Sequence, residues 1–115
     1  MVKFDCNYIR GKQMKKKKAN FKFKNTKGVE YEVIFKKPNS KYYPDADGYC
    51  HDPKEKDPKI VVSPYLTKQS ELNTIIHEMT HAFFWDKPET DVFNFANAVS
   101  RMLYNHQHWR KIEDE

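Results

Sequence analysis

Leu72-Asn73-Thr74-Ile75-Ile76-His77-Glu78-Met79-Thr80-His81-Ala82-Phe83-Phe84-Trp85 is the stretch on which the reading of this chain turns. Leu72, Ile75, Ile76, Met79, Ala82 and Phe83 recur at helical spacing, which predicts a helix running through Trp85. Thr67 or Ser70 can cap it, and Glu71 puts negative charge in its first turn. With Leu72 set at 0° and about 100° per residue, Ile76, Met79 and Phe83 fall within about 40° of it. His77 and His81 fall near 140° and 180°, off the main apolar stripe. Phe84 and Trp85 flank them, so the expectation is a helix covered on both sides with two histidines between.

The five residues His77-Glu78-Met79-Thr80-His81 form an H-E-x-x-H. Histidines four apart sit one turn apart on one face, so both imidazoles can reach a single Zn²⁺ at about 2.0–2.1 Å. Glu78 lies beside that position, where it can take a proton from a metal-bound water. A chain of this composition matches the pattern by chance roughly 1–2% of the time, so the pentad is informative, the more so in mid-helix.

Two histidines need a further protein ligand and an open position for water. The candidates are Glu89, Asp86, Asp91, His106 and His108. Asp86-Lys87-Pro88-Glu89 resembles a capping box with proline in the first turn of a second helix. In that helix Val92, Ala96, Val99 and Leu103 make one stripe, running to about Asn105. Glu89 shares a face with Ala96 and Leu103, whereas Asp91 points about 200° away. The two later histidines lie about 25 Å beyond Glu89 at 1.5 Å per residue, so they and Glu89 cannot serve one ion. Glu89 therefore has two competing readings, third ligand or capping acid.

Upstream the pattern is β. Phe21 and Phe23 alternate with Lys22 and Lys24, a turn follows at Asn25-Thr26-Lys27-Gly28, and Val29 to Val33 alternates again before Ile34-Phe35. Its lysines and glutamates read as a wetted sheet face. Residues 38–58 hold four of the six prolines and read as loop, with a short extended piece at Gly48-Tyr49-Cys50-His51. Lys59 to Ser63 is a strand stopped by Pro64. Strands followed by two helices give an α+β domain.

The chain has 115 residues, room for one domain, expected over 20–115 after a basic segment at 1–19. Its net charge is +5, and the excess belongs to the first half. Residues 1–60 carry 16 basic and 8 acidic groups, and 61–115 carry 5 and 8. No stretch approaches the 18 or so apolar residues of a membrane span, and no secretory h-region stands at the start. Cys6 and Cys50 are too few for a disulfide scaffold. The expectation is a cytoplasmic monomer with reduced thiols and no membrane contact.

Gly48 to Pro53, Lys59 to Ser63 and Leu72 to Asp86 together resemble the small zincin-like metallopeptidases of phages and archaea, minimal gluzincins often described as SprT-like. The resemblance covers about residues 48–104, and His77-Glu78-x-x-His81 with Trp85-Asp86 is its specific part. It implies a minimal zincin, with a short, mostly antiparallel sheet packed on the H-E-x-x-H helix and a second, C-terminal helix. His77 and His81 match the zinc histidines, Glu78 the general base, and Glu89 the acid early in the second helix. The longer gluzincin pattern has an aspartate four residues after that glutamate, where this chain has Phe93. SprT-like proteins proper use a third histidine, and none lies at a comparable short distance here.

The expected function is thus a zinc-dependent metallopeptidase acting on a peptide or protein substrate. Zinc would polarise the scissile carbonyl and acidify its bound water, and Glu78 would pass that water's proton to the leaving amine. Val61 to Ser63 would line the cleft and pair with extended peptide. The alternatives are a non-catalytic, zinc-stabilised binding domain and a protein that contacts nucleic acid through Lys15–Lys18 and the basic hairpin. Cys50 reads as a buried thiol at a strand end, with a zinc-capping role as the other option. Tyr65, Arg101 and Tyr104 receive no role.

Overall fold

The computed structural model describes residues 18–38 and 46–112. Most of the basic segment, including Lys15 to Lys17, lies outside the described residues, as do Cys6 and the acidic residues 113–115.

The alternating segment folds as the expected hairpin, β1 (Phe21–Lys24) antiparallel to β2 (Glu30–Phe35). Gly28 takes φ +81° in the turn, a left-handed conformation that only glycine adopts without strain. Asn25 locks this turn by accepting from the Lys27 and Val29 amides through Oδ1, both at 3.0 Å. The register sets Lys22 opposite Glu32 and Lys24 opposite Glu30, so this face carries alternating sign rather than one sign.

Two further strands, β3 (Gly48–Cys50) and β4 (Lys59–Val62), complete a sheet of order β1-β2-β4-β3. The outer pairings are antiparallel, as expected, but the central β2–β4 pairing is parallel. The 23-residue connection from Lys36 to Pro58 is long enough for the crossover that a parallel pair requires. The arrangement corrects one expectation. β4 has a strand on each side, so Val61 to Ser63 cannot pair with an incoming peptide; the strand beside the first helix is β3. Ile60, Val61 and Val62 are accordingly buried on both faces.

The first helix, α1 (Lys68–Phe83), begins where Thr67 caps it, its hydroxyl accepting from the Ser70 amide at 3.2 Å. It closes at Phe84 rather than at Trp85. Ala82, Ile75 and Met79 pack against Tyr31, Val33, Ile60 and Val62 of the sheet. At the far end of α1 the hairpin turn closes over it, Asn25 Nδ2 donating to the Ala82 carbonyl at 3.1 Å. The second helix, α2 (Glu89–Arg101), buries Val92, Ala96 and Ser100 and continues into a π-helical turn, Met102–His106. The result is an α+β domain of one four-stranded mixed sheet and two helices. No described helix is long and apolar enough to cross a membrane.

Two local expectations fail. Phe84 and Trp85 are 52% and 40% exposed, so the second flank of α1 is not covered. Asp86 does not cap α2 either. Pro88 occupies the N-cap position without a side-chain hydrogen bond, which makes Glu89 the first helical residue and leaves its carboxylate available elsewhere.

Candidate metal centre

α1 and α2 are joined by only five residues, 84–88, so the end of one helix lies against the beginning of the next. That connection brings His81 to Glu89, and the helical repeat brings His77 alongside. Nε2 of His77 lies 2.9 Å from one Glu89 oxygen, and Nε2 of His81 lies 2.9 Å from the other. The imidazoles stand edge to face with centroids 5.0 Å apart, and the Trp85 indole backs His81 at 6.3 Å. Glu89 is thus bound to both histidines, which settles its position against the capping-box alternative.

The three side chains form the one metal-competent group of histidine, cysteine, aspartate and glutamate found among the described residues, their donor atoms all within 4.8 Å. Two imidazole nitrogens and a carboxylate are the donor set of a catalytic zinc site with an open position. Partners 2.9 Å apart are close enough for all three to reach one ion at about 2.0–2.1 Å. The histidine side chains are only 16% and 17% exposed, whereas Glu89 is 66% exposed, so the group is walled by protein on the α1 side and open on the α2 side.

The remaining candidates are elsewhere. Asp86 and Asp91 are exposed and outside the group, and His106 and His108 lie in and beyond the π-helical turn.

Glu78 is 8% exposed and lies within electrostatic reach of Glu89 on one side. Burial, reinforced by the charge of Glu89, pushes its carboxyl up to about 8. Burial also holds His77 below its ordinary value, against the pull of the Glu89 carboxylate. On the other side of Glu78 is Cys50, whose thiol is pushed up to about 12 by burial and by the Glu78 charge. It donates to the His51 carbonyl at 3.4 Å. A thiol so firmly protonated is a packing group, as its position at the end of β3 suggested. His51 is engaged as well, Nδ1 accepting from the Lys59 amide at 3.1 Å.

Tyr65 is 81% exposed, and Tyr104 lies under the Arg110 guanidinium at 3.5 Å. Arg101 instead lines a polar pocket at the α1–α2 seam together with Asn73 and Asn97. These asparagines were not singled out by sequence reasoning. The available signal was spacing, since Asn73 precedes His77 by one turn and Asn97 follows Glu89 by about two.

The chain matches no protein-family model, no curated protein and no solved structure.

Proposed function

We propose that this chain is a zinc-dependent metallopeptidase of minimal zincin type. What carries the reading is the convergence of His77 Nε2, His81 Nε2 and the Glu89 carboxylate, with a buried glutamate next in sequence to the first histidine. His77, His81 and Glu89 hold the metal. A zinc ion there supplies Lewis-acid polarisation of a carbonyl, acidification of water, and positive charge that favours the ionised form of Glu78.

The chemistry left to the chain is proton handling. A free carboxylate near pH 4.5 is a weak base at neutrality; an environment that raises its proton affinity brings it closer to the range in which general bases work. The Glu78 carboxylate accepts a proton from the attacking water and delivers it to the departing amine nitrogen. The low exposure of His77, His81 and Glu78 limits competing solvent around that transfer.

The test combines metal content with hydrolysis. Wild-type protein reconstituted with zinc is expected to hold about one ion per chain and to cleave a quenched-fluorescent peptide library. Glu78→Gln is expected to keep the ion and the fold while losing about 10²–10⁴-fold in rate. His81→Ala is expected to lose the ion. Failure of the wild-type chain to bind zinc overturns the proposal, and zinc binding without hydrolysis leaves a zinc-stabilised binding domain in its place.

A further inference from the structure

The face of α1 that carries His77 and His81 at four-residue spacing extends one turn further towards the helix start. One turn earlier on α1 stands Asn73, and it joins the two helices: its Nδ2 donates to Asn97 Oδ1 at 2.7 Å and to Ser100 Oγ at 3.0 Å. Around this link opens a pocket of about 300 Å³, space enough for a polar side chain with the peptide on either side of it. Ser70, Asn73 and Thr74 line it from α1, Asn97 and Arg101 from α2, and Asp47 from the residue before β3. Thr74 packs directly on the sheet, its Cγ2 only 2.9 Å from where a Cβ on Gly48 would be.

The hydrogen bonds already made leave specific atoms unused. Both Asn73 amide hydrogens are engaged, so its Oδ1 remains an acceptor. Asn97 Oδ1 is engaged, so its Nδ2 remains a donor. Arg101 and Asp47 line the same pocket and make no ion pair with each other or with any described residue. The pocket thus offers donors from α2 and acceptors from α1 and from Asp47 beside β3. An apolar side chain would leave them without protein partners; a carboxylate would gain Arg101 but meet Asp47, and an ammonium would gain Asp47 but meet Arg101, so either charge is set against one of the two. A carboxamide both donates and accepts, and carries no charge to be repelled.

Asn73 lies about 6 Å from His77 along α1, and Asn97 about 12 Å from Glu89 along α2. Those distances correspond to about two and nearly four residues of extended peptide at about 3.3 Å each, and their midpoint to about three. We propose that this pocket is a substrate subsite, selecting an asparagine or glutamine side chain two or three residues from the bond held at His77 and His81. The inference rests on the peptidase reading and names its substrate preference.

The test uses terminally blocked peptides that differ only at one position, two or three residues to either side of the cleaved bond. Gln, Leu, Glu and Lys are compared there. Wild-type kcat/KM is expected to be about tenfold higher for Gln than for Leu, the effect of one polar group left unpaired. Arg101→Ala is expected to bring the Lys peptide towards Gln, and Asp47→Ala to do so for the Glu peptide, each without helping the other. The Gln and Leu peptides are also titrated onto zinc-loaded, ¹⁵N-labelled Glu78→Gln, with the Asn73 and Asn97 side-chain amides as reporters. Cleavage that is indifferent to the varied residue overturns the subsite and leaves the peptidase standing. Absent cleavage with Gln-selective shifts at Asn73 and Asn97 overturns the peptidase, and with it the substrate role, and leaves the pocket a carboxamide-binding site. Neither cleavage nor such shifts overturns both.

Discussion

Glu89 stands at the first position of α2, where the positive end of the helix dipole already favours a carboxylate, and it faces two imidazoles of α1. A proline at the N-cap, with no side chain to offer the first-turn amides, is compatible with that placement because the carboxylate works outward rather than back along its own helix. Glu78 is its buried counterpart. In the metal-free folded chain Glu78 keeps its proton up to about pH 8, whereas the unfolded chain releases it near its ordinary value of 4.5. The stability it contributes is therefore complete below about pH 4.5 and is lost as pH rises to about 8. His77 acts in the opposite sense, being held below its ordinary value of 6.5, and its contribution is fully gained by about pH 7. Between pH 7 and 8.5 the metal-free wild type is expected to fall in melting temperature, and Glu78→Gln to lack that fall. Parallel curves for the two proteins in this window would remove the account of Glu78 as a buried, proton-holding group. The two histidines and Glu78 were legible in the sequence because i and i+4 on a helix is local geometry. Glu89 was half legible: its helical face could be worked out, but whether it capped α2 or reached across to α1 depended on how the two helices pack.

Strand order was the least legible part. Lys59 to Val62 reads as a strand from composition alone, yet its place between β2 and β3 comes from pairings with residues 27 and 10 to 14 positions away, of which no local pattern gives notice. The expectation that Val61 to Ser63 would border the cleft failed for that reason. β3, only three residues long, is the edge strand and packs against α1, and Gly48 explains how. A Cβ at Gly48 would lie 2.6 Å from the Val61 carbonyl oxygen and 2.9 Å from Thr74 Cγ2, so strand and helix meet here without room for a methyl group. Gly48→Ala is expected to cost about 1–3 kcal/mol, measured as a lower denaturant midpoint at unchanged slope. Wild-type stability in that variant would mean that β3 and α1 are not in such close contact.

At the scale of the molecule, the excess of positive charge in the first half does not translate into a uniformly basic surface among the described residues. The hairpin lysines face glutamates across the strands, and Lys59 lies 3.7 Å from Glu32. Lys18, the one member of the lysine run among the described residues, is drawn to the buried carboxylate of Glu71 at 2.8 Å. Lys111 approaches the other oxygen of the same carboxylate at 3.5 Å. Two amines separated by some 90 residues of chain are therefore held a single carboxylate apart, and the backbone between them is, in effect, an almost closed ring. A short amine-reactive bifunctional reagent is expected to join Lys18 to Lys111 in the native protein, with the linked peptide found by mass spectrometry, and Glu71→Ala is expected to lower its yield. Covalent closure of a ring that size restricts the unfolded chain far more than the folded one. The product should gain up to about 4–5 kcal/mol in stability, making a carboxylate that merely gathers two side chains the template for a circular form of the domain.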